Sequence, residues 1–204
     1  MRNSNFAKVF CLFVLFFLIT DCATHATSTI DYNAAENVQQ HIEGPYKSWY
    51  NKVIKGLRQH SIQRSVKTAR AQEEYRVVYS VSFRGYDYYS FQVFPDGTGR
   101  FRFIVHESQF FRIGRILTNV SKDMSRQETK TLLTVIKDND FYNIPTRHPA
   151  ENPGEDGSSV FVEGYNNSTI HYIEMWMPGE EYPIEKIHRA FADFADTIAT
   201  RPTS

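Results

Sequence analysis

A change in the spacing of apolar residues near residue 75 constrains the fold of this chain more than any other feature of the sequence. Between Tyr75 and Phe83 the odd positions are all apolar or aromatic, and the even positions are mostly polar. Successive side chains of a β-strand point to opposite faces, so this alternation predicts a half-buried strand. Before it, in residues 45–70, the apolar residues recur at helical spacing.

Three further segments predict strands that follow the first one. Residues 89–94, 100–106 and 111–119 each alternate apolar and polar side chains, the last of them less cleanly. Between the second and third strands, residues 95–99 read Pro-Asp-Gly-Thr-Gly, which are the residue types that a tight hairpin requires. The four strands together predict an antiparallel meander.

The second half of the chain predicts a helix, a hairpin and a closing helix. Ser125 and Glu128 have the spacing of a capping box at the start of a helix. Strands at 159–165 and 169–177 are joined by Asn-Asn-Ser, and an amphipathic stripe runs from residue 184 to 198. The predicted fold class is α+β, with an antiparallel sheet of about six strands and helices packed on one face.

The first residues have the pattern of an export signal. Basic residues at Arg2 and Lys8 precede the apolar run Val9–Ile19, and small residues follow it up to Ala26. The run is shorter than the roughly 20 residues that a helix needs to span a bilayer. We predict a signal peptide over residues 1–26, cleaved near Ala26, no integral membrane span, and a periplasmic or secreted protein.

Both cysteines of the sequence, Cys11 and Cys22, lie in this signal segment. After cleavage the protein has no cysteine, which excludes disulfides and a cysteine nucleophile. As an alternative, residues 18–22 resemble a degraded lipoprotein box, in which Asp21 stands where a small uncharged residue is expected. In that case Cys22 is lipidated and anchors the protein to a membrane.

The remaining chain divides into three predicted parts. Residues 27–44 are polar and predict a disordered lead-in, residues 45–70 an N-terminal helix, and residues 71–204 a single α+β domain. The whole sequence has 23 basic and 23 acidic residues. Such a balance gives no broad attraction to a polyanion, so we predict no nucleic-acid partner. The sequence predicts no cofactor and no dedicated metal site.

The polar residues of the last hairpin and of the loop before it are the candidates for chemistry. Glu163 and His171 lie on neighbouring predicted strands, and Asp156 lies in the long loop that precedes them. Together they could act as general acid and base, or hold a metal with two carboxylates and an imidazole. The structural alternative is that His171 is a satisfied, half-buried histidine and that Glu163 and Glu174 lie on the solvent side or at strand ends. Which applies depends on a strand register that the sequence leaves open.

Aromatic residues, 15% of the sequence, give a second candidate site. Two helices on one face of a sheet cannot bury all of them, so the other face needs a cover or a ligand. Tyr86, Tyr88, Tyr89, Phe110 and Trp176 are the candidates for binding a protein or a glycan. Alternatively, the N-terminal helix covers that face.

Several short motifs of the second half resemble those of a group of secreted bacterial domains of unknown function. They are Phe141-Tyr142-Asn143-Ile144-Pro145, Asp156-Gly157, Glu163-Gly164, the histidine at 171 and Trp176-Met177-Pro178. The chain has Ile170 where the group usually has a tyrosine. The resemblance covers about a quarter of the chain and implies a proteobacterial type of source and a similar fold. It implies no activity.

Together these observations favour an exported, non-catalytic binding or inhibitory module for a protein or glycan partner. The alternative is a hydrolase or metal-dependent enzyme that uses Glu163, His171 and Asp156.

Overall fold

The computed structural model describes residues 46–82, 84–109, 112–146 and 157–199. Its elements, in chain order, are α1 (Tyr46–Gly56), α2 (Ile62–Ala69), β1 (Glu73–Val81), β2 (Gly85–Val93), β3 (Gly99–Gln109), β4 (Arg112–Met124), α3 (Arg126–Asp138), a 3-10 turn (Phe141–Asn143), β5 (Ser158–Asn166), β6 (Thr169–Trp176) and α4 (Pro183–Ala199). The predicted signal segment with Cys22, the lead-in at 27–44, Phe110 and Asp156 lie outside the described residues.

The six strands form one antiparallel sheet in the order β4-β3-β2-β1-β5-β6. The predicted meander is therefore present, and the last hairpin joins it through pairing of β1 with β5. These findings confirm the α+β class and the six-stranded antiparallel sheet. Among the described residues, no helix is both long and apolar enough to cross a membrane.

Local sequence signals account for the turns and caps. The β5–β6 turn has Asn167 and Ser168 at positive φ, 47° and 69°, the conformation of a type I′ hairpin turn. In the β2–β3 turn Gly97 has a φ of 83°, and the Asp96 carboxylate accepts the backbone N–H of Thr98 at 2.9 Å. Ser125 and Glu128 form the reciprocal capping box that starts α3.

The range predicted as one N-terminal helix contains two helices, α1 and α2. Between them Arg58 adopts a left-handed φ of 53°, which a continuous helix does not allow. Ser61 then starts α2, because its side chain accepts the backbone N–H of Arg64 at 3.3 Å. The break follows Gly56, a residue that weakens helices.

One face of the sheet packs against α3 and α4, and we call it the α3–α4 face. Its apolar cluster includes Tyr75, Val77, Phe91, Phe101, Phe141, Val162, Ile173, Leu132, Ile136, Ile187 and Phe191. The buried polar residues of this side are Glu73, Thr129, Glu185 and His188. The stripe predicted on α4 supplies the centre of this core, with Phe191 in edge or tilted contact with Phe91 and Phe101.

The opposite face packs against α1, and we call it the α1–α2 face. Tyr50, Val53, Ile54 and Leu57 of α1 form a second cluster there, with the sheet residues Val78, Tyr88, Ile104 and Phe161. The expectation of helices on one face therefore holds for α3 and α4, whereas the N-terminal pair covers the other face. The reason is that β1 is a central strand. Its adjacent residues Val77 and Val78 point to opposite faces of the sheet, and both are fully buried.

Candidate functional site

The structure does not bring together the residues predicted for chemistry. Glu163 pairs with Tyr172, and His171 pairs with Gly164. Because residues adjacent in a strand point to opposite faces, Glu163 lies on the α1–α2 face and His171 on the α3–α4 face. Asp156 lies outside the described residues. The sheet itself therefore separates the imidazole from the carboxylate.

His171 has a structural environment. Its Nε2 lies 2.9 Å from the carbonyl oxygen of Ile144, which can only accept, so Nε2 carries the proton. The ring also packs edge-on against Phe141, with centroids 5.1 Å apart. Burial lowers the pKa of His171, while the Ile144 hydrogen bond opposes that shift. His171 thus ties the segment after the 3-10 turn to β6.

Glu163 belongs to a buried network on the α1–α2 face that the sequence did not reveal. Its side chain accepts a hydrogen bond from the Tyr50 hydroxyl at 2.7 Å and lies 3.8 Å from Nη1 of Arg76. Burial raises the pKa of Glu163, against the opposing effects of Arg76 and Tyr50. The carboxyl group therefore joins α1 to the sheet.

Arg76 is the centre of this network and is fully buried. Its Nε donates to Glu74 at 2.7 Å, and its Nη1 donates to the carbonyl of His60 at 2.8 Å. Glu74 also accepts from Gln92 at 2.8 Å. These contacts connect the sheet to the segment between α1 and α2, so they hold the N-terminal cover in place. We call Glu74, Arg76, Glu163 and Tyr50 the Arg76 network.

No group of three or more His, Cys, Asp or Glu side chains within the described ranges is placed to hold a metal ion. The Arg76 network is closed over by α1, and its members bond to each other, to the His60 carbonyl and to Gln92. Its geometry is that of a structural connection between two layers.

The aromatic candidates separate into two groups. Tyr88 and Tyr89 are 0% and 3% exposed and belong to the two opposite cores, so they offer no surface to a partner. Phe110 lies outside the described residues. Tyr86 and Trp176 are half-buried.

Strand register places Tyr86 and Trp176 in one line across the sheet. Direct pairings connect all six strands on the α1–α2 face through Ile116, His106, Tyr86, Ser80, Ser159 and Trp176. We call these six residues the polar–aromatic row. The next line on the same face is Ile104, Tyr88, Val78 and Phe161, the apolar floor beneath α1. The row therefore lies just beyond that core.

Two ring nitrogens of the row are buried without a hydrogen-bond partner, Nε2 of His106 and Nε1 of Trp176. The Nδ1 of His106 lies 3.4 Å from the carbonyl oxygen of Gly114, which assigns the proton to Nδ1 and leaves Nε2 as an acceptor. Burial lowers the pKa of His106, so the ring is neutral at pH 7. The indole of Trp176 can only donate.

The row lies at one end of the sheet, where β1, β3 and β6 finish and β2, β4 and β5 begin. We call this the loop end. Among the described residues, the exposed large hydrophobic side chains all lie there: Ile116 at 48%, Leu117 at 52%, Met177 at 60% and Tyr182 at 38%. Met177 also has a left-handed φ of 45°, and irregular β3–β4 pairing brackets Ile116. Bulges and backbone strain of these kinds concentrate at functional positions.

Neither a protein-family model nor a curated protein matches the chain.

Proposed function

We propose that the protein is an exported, non-catalytic binding module whose partner contacts the loop end. One observation carries this proposal: the exposed large hydrophobic residues of the described chain lie at that end. Single exposed apolar residues are ordinary, but their concentration at one end of a molecule is typical of an interaction surface.

The dimensions of the loop end support a macromolecular partner. Ile116 and Leu117 lie on the edge strand β4, while Met177 follows the opposite edge strand β6. With about 4.8 Å between neighbouring strands, the two apolar corners are about 24 Å apart. A specific protein interface buries about 800 Å² on each partner, which is a patch of about this width.

Export is supported by the basic start and the apolar run of the first residues. It gives a periplasmic or secreted protein, or a membrane-anchored one if Cys22 is lipidated. A catalytic role for Glu163 and His171 gains no support, since the two side chains lie on opposite faces.

Affinity capture with a double substitution tests the loop end. We would immobilise wild-type chain, the Leu117→Ser/Met177→Gly variant and a control, and expose each to the extracytoplasmic fraction of the source cells. The control, Lys130→Ser/Thr134→Ser, changes two exposed residues of α3. Glycine at 177 suits the positive φ, so neither variant is expected to unfold the chain.

Wild type and control should retain the same partner, as measured by quantitative mass spectrometry. The loop-end variant should retain at least about tenfold less, the loss that follows from removing about 1.4 kcal/mol of interface contacts. Equal retention by all three chains, or no retention by the wild type above blank beads, would contradict the proposal.

A further inference from the structure

The charges of this chain are distributed unevenly along the sequence. Residues 45–72 contain 7 basic and no acidic residues, whereas residues 73–204 contain 14 basic and 19 acidic residues. The neutral balance of the whole chain therefore combines a basic N-terminal cover, α1 and α2, with a domain that is acidic on balance. Such an asymmetry is typical of proteins that bind an anionic surface.

The same spacing of basic residues occurs twice in the cover. Residues 52–58 read Lys-Val-Ile-Lys-Gly-Leu-Arg, and residues 64–70 read Arg-Ser-Val-Lys-Thr-Ala-Arg, so both segments have a cation at every third position. Each segment ends at an arginine of left-handed φ, 53° at Arg58 and 55° at Arg70. Because residues three apart on a helix are neighbours on its surface, each helix presents a line of cations.

These lines of cations point away from the sheet. The apolar stripe of α1 packs against the sheet, and at 100° per residue Lys52 and Lys55 lie on the other side of the helix. α2 lies over the same face, because Ser65 accepts a hydrogen bond from the Gln92 side chain of β2 at 3.1 Å. The exposed basic residues of the cover are Lys52, Lys55, Arg58, Arg64, Lys67 and Arg70. We call these six residues the basic surface.

Carboxylates leave most of the basic surface uncompensated. Glu73 and Glu74, which follow the cover in sequence, are 6% and 1% exposed and so do not reach that surface. Exposed cations elsewhere, such as Arg100 and Arg189, form ion pairs with carboxylates. Within the described part of the chain, no ion pair involves Lys52, Lys55, Arg58, Lys67 or Arg70.

A partner of the basic surface must present many negative charges over a broad area. Six cations on two helices can act together only on such a partner, since a small anion reaches one or two of them. Anionic lipid headgroups fit, because clusters of about four to eight Lys and Arg side chains bind them. Export brings the chain to a membrane and removes it from nucleic acids, the other common polyanions.

From these observations we propose that the basic surface of α1 and α2 binds a membrane rich in anionic phospholipids. The lysine and arginine side chains contact lipid phosphates, while the apolar stripe of α1 stays packed on the sheet. Binding is therefore electrostatic, without insertion into the bilayer. The inference goes beyond the proposed function, because it concerns a second surface and shares with the first proposal only the export of the chain.

Binding to vesicles of defined composition tests this inference. We would purify the chain as the cell processes it, in a Cys22→Ser background that excludes an acyl anchor. Co-sedimentation should occur with equimolar phosphatidylcholine and phosphatidylglycerol, and not with phosphatidylcholine alone. The bound fraction should fall as salt rises from about 0.1 M to about 1 M, since the Debye length shortens from about 10 Å to about 3 Å.

A triple substitution locates the contact. Lys52→Gln/Lys55→Gln/Lys67→Gln removes three charges from the basic surface and keeps side chains that favour helices. Each cation near an anionic lipid surface contributes a factor of about five in affinity. The triple variant should therefore bind the anionic vesicles about a hundredfold more weakly than the wild type.

A matched variant of α3 separates the basic surface from the net charge of the chain. Arg126→Gln/Lys130→Gln/Lys137→Gln also removes three exposed cations, so the two variants have the same net charge. It should bind the anionic vesicles as tightly as the wild type. Circular dichroism shows that both variants keep the fold.

Several results would overturn the inference. They are no binding of the wild type to anionic vesicles, equal binding to neutral vesicles, and equal affinity of the two triple variants. Binding of a DNA duplex without binding of the vesicles would overturn it as well and would assign the surface to nucleic acid. Affinity capture through Leu117 and Met177 does not depend on these results, so the two proposals can fail separately.

Discussion

The two faces of the sheet are buried by different means. On the α3–α4 face the cluster consists of apolar side chains such as Phe91, Ile187 and Phe191. On the α1–α2 face a smaller apolar cluster adjoins Arg76, Glu74 and Glu163, which are 0%, 1% and 2% exposed. The first face is stabilised mainly by buried apolar area, which is non-directional, and its buried ionisable groups, such as Glu73 and His188, lie at its margin with Tyr75 and Tyr79. The second depends on a specific set of partners, each of which is costly to leave unpaired.

This difference predicts unequal tolerance to substitution. An apolar core accepts substitutions that keep its volume. Removing one member of a buried charge network, by contrast, leaves the remaining charges buried without an opposite charge. The N-terminal cover should therefore be the part of the molecule that responds most sharply to single substitutions and to pH.

The largest expected effect is that of Arg76→Met. The substitution keeps the aliphatic length but leaves Glu74 and Glu163 buried without a cation, so we expect the free energy of unfolding to fall by about 3–5 kcal/mol. Urea unfolding at pH 7 measures it. A matched triple variant with Glu74→Met and Glu163→Leu should recover much of the loss. If Arg76→Met costs under about 1 kcal/mol, the network does not hold the cover.

Tyr50→Phe should have the next largest effect. Phenylalanine keeps the stacked contact with Phe161, whose centroid lies 4.1 Å from that of Tyr50, but removes the hydrogen bond to Glu163. Hydrogen bonds to charged groups contribute about 1.5–3 kcal/mol, and the same unfolding assay should show a loss of this size. Tyr89→Phe, on the other face, is the control and should cost less.

A volume-conserving change on the α3–α4 face should have a smaller effect. Leu132 of α3 is 3% exposed in the apolar cluster, and Leu132→Met retains nearly the same volume. We expect a loss under about 1.5 kcal/mol. A loss as large as that of Arg76→Met would remove the contrast between the two faces.

Of these substitutions, Glu163→Gln should change the free energy of unfolding in the way that depends most on pH. Burial raises the pKa of Glu163, so above the unfolded value of about 4.3 the native state binds the extra proton. The contribution of Glu163 to the free energy of unfolding is fully present below the unfolded pKa. It is lost as the pH rises through the native pKa. The stability of Glu163→Gln relative to the wild type should therefore increase over this window and then level off.

Glu128 provides a control of opposite sign for the pH series. The hydrogen bond from Lys122, followed by that from the Ser125 backbone, lowers the pKa of Glu128 to about 2. Its contribution is present above the unfolded value and is lost as the pH falls toward 2. Relative to the wild type, Glu128→Gln should therefore lose stability as the pH rises from 2 to about 4.3. Parallel profiles for the two variants would contradict at least one of the two assignments.

The α3–α4 face could be predicted from the sequence, and the N-terminal helix was one of the two predicted covers of the other face. The charged network beneath that cover could not be predicted, for a physical reason. Apolar alternation along β1 and the stripe on α4 are local patterns, as are the capping box at Ser125 and the turn after Asn166. Burial of Glu74 and Arg76 depends instead on α1 and α2 folding back over polar positions of β1, which no local pattern records.

The candidate site, too, could be predicted only in part from the sequence. Tyr86 and Trp176 could be selected from the sequence as aromatic residues. Their alignment with His106, Ser80 and Ser159 depends on the register of five strand pairings, which propensities do not determine. Register also placed Glu163 and His171 on opposite faces.

Oxidation of Met177 tests the loop-end surface most directly. Met177 is 60% exposed, whereas Met124 and Met175 are 3% and 5% exposed, so the chain contains its own reference residues. In dilute hydrogen peroxide the free chain should oxidise first at Met177, as measured by peptide mass spectrometry. In the complex recovered by affinity capture, we expect Met177 to react several times more slowly, with Met124 and Met175 unchanged. Equal rates for Met177 in the free chain and in the complex would contradict a partner at the loop end.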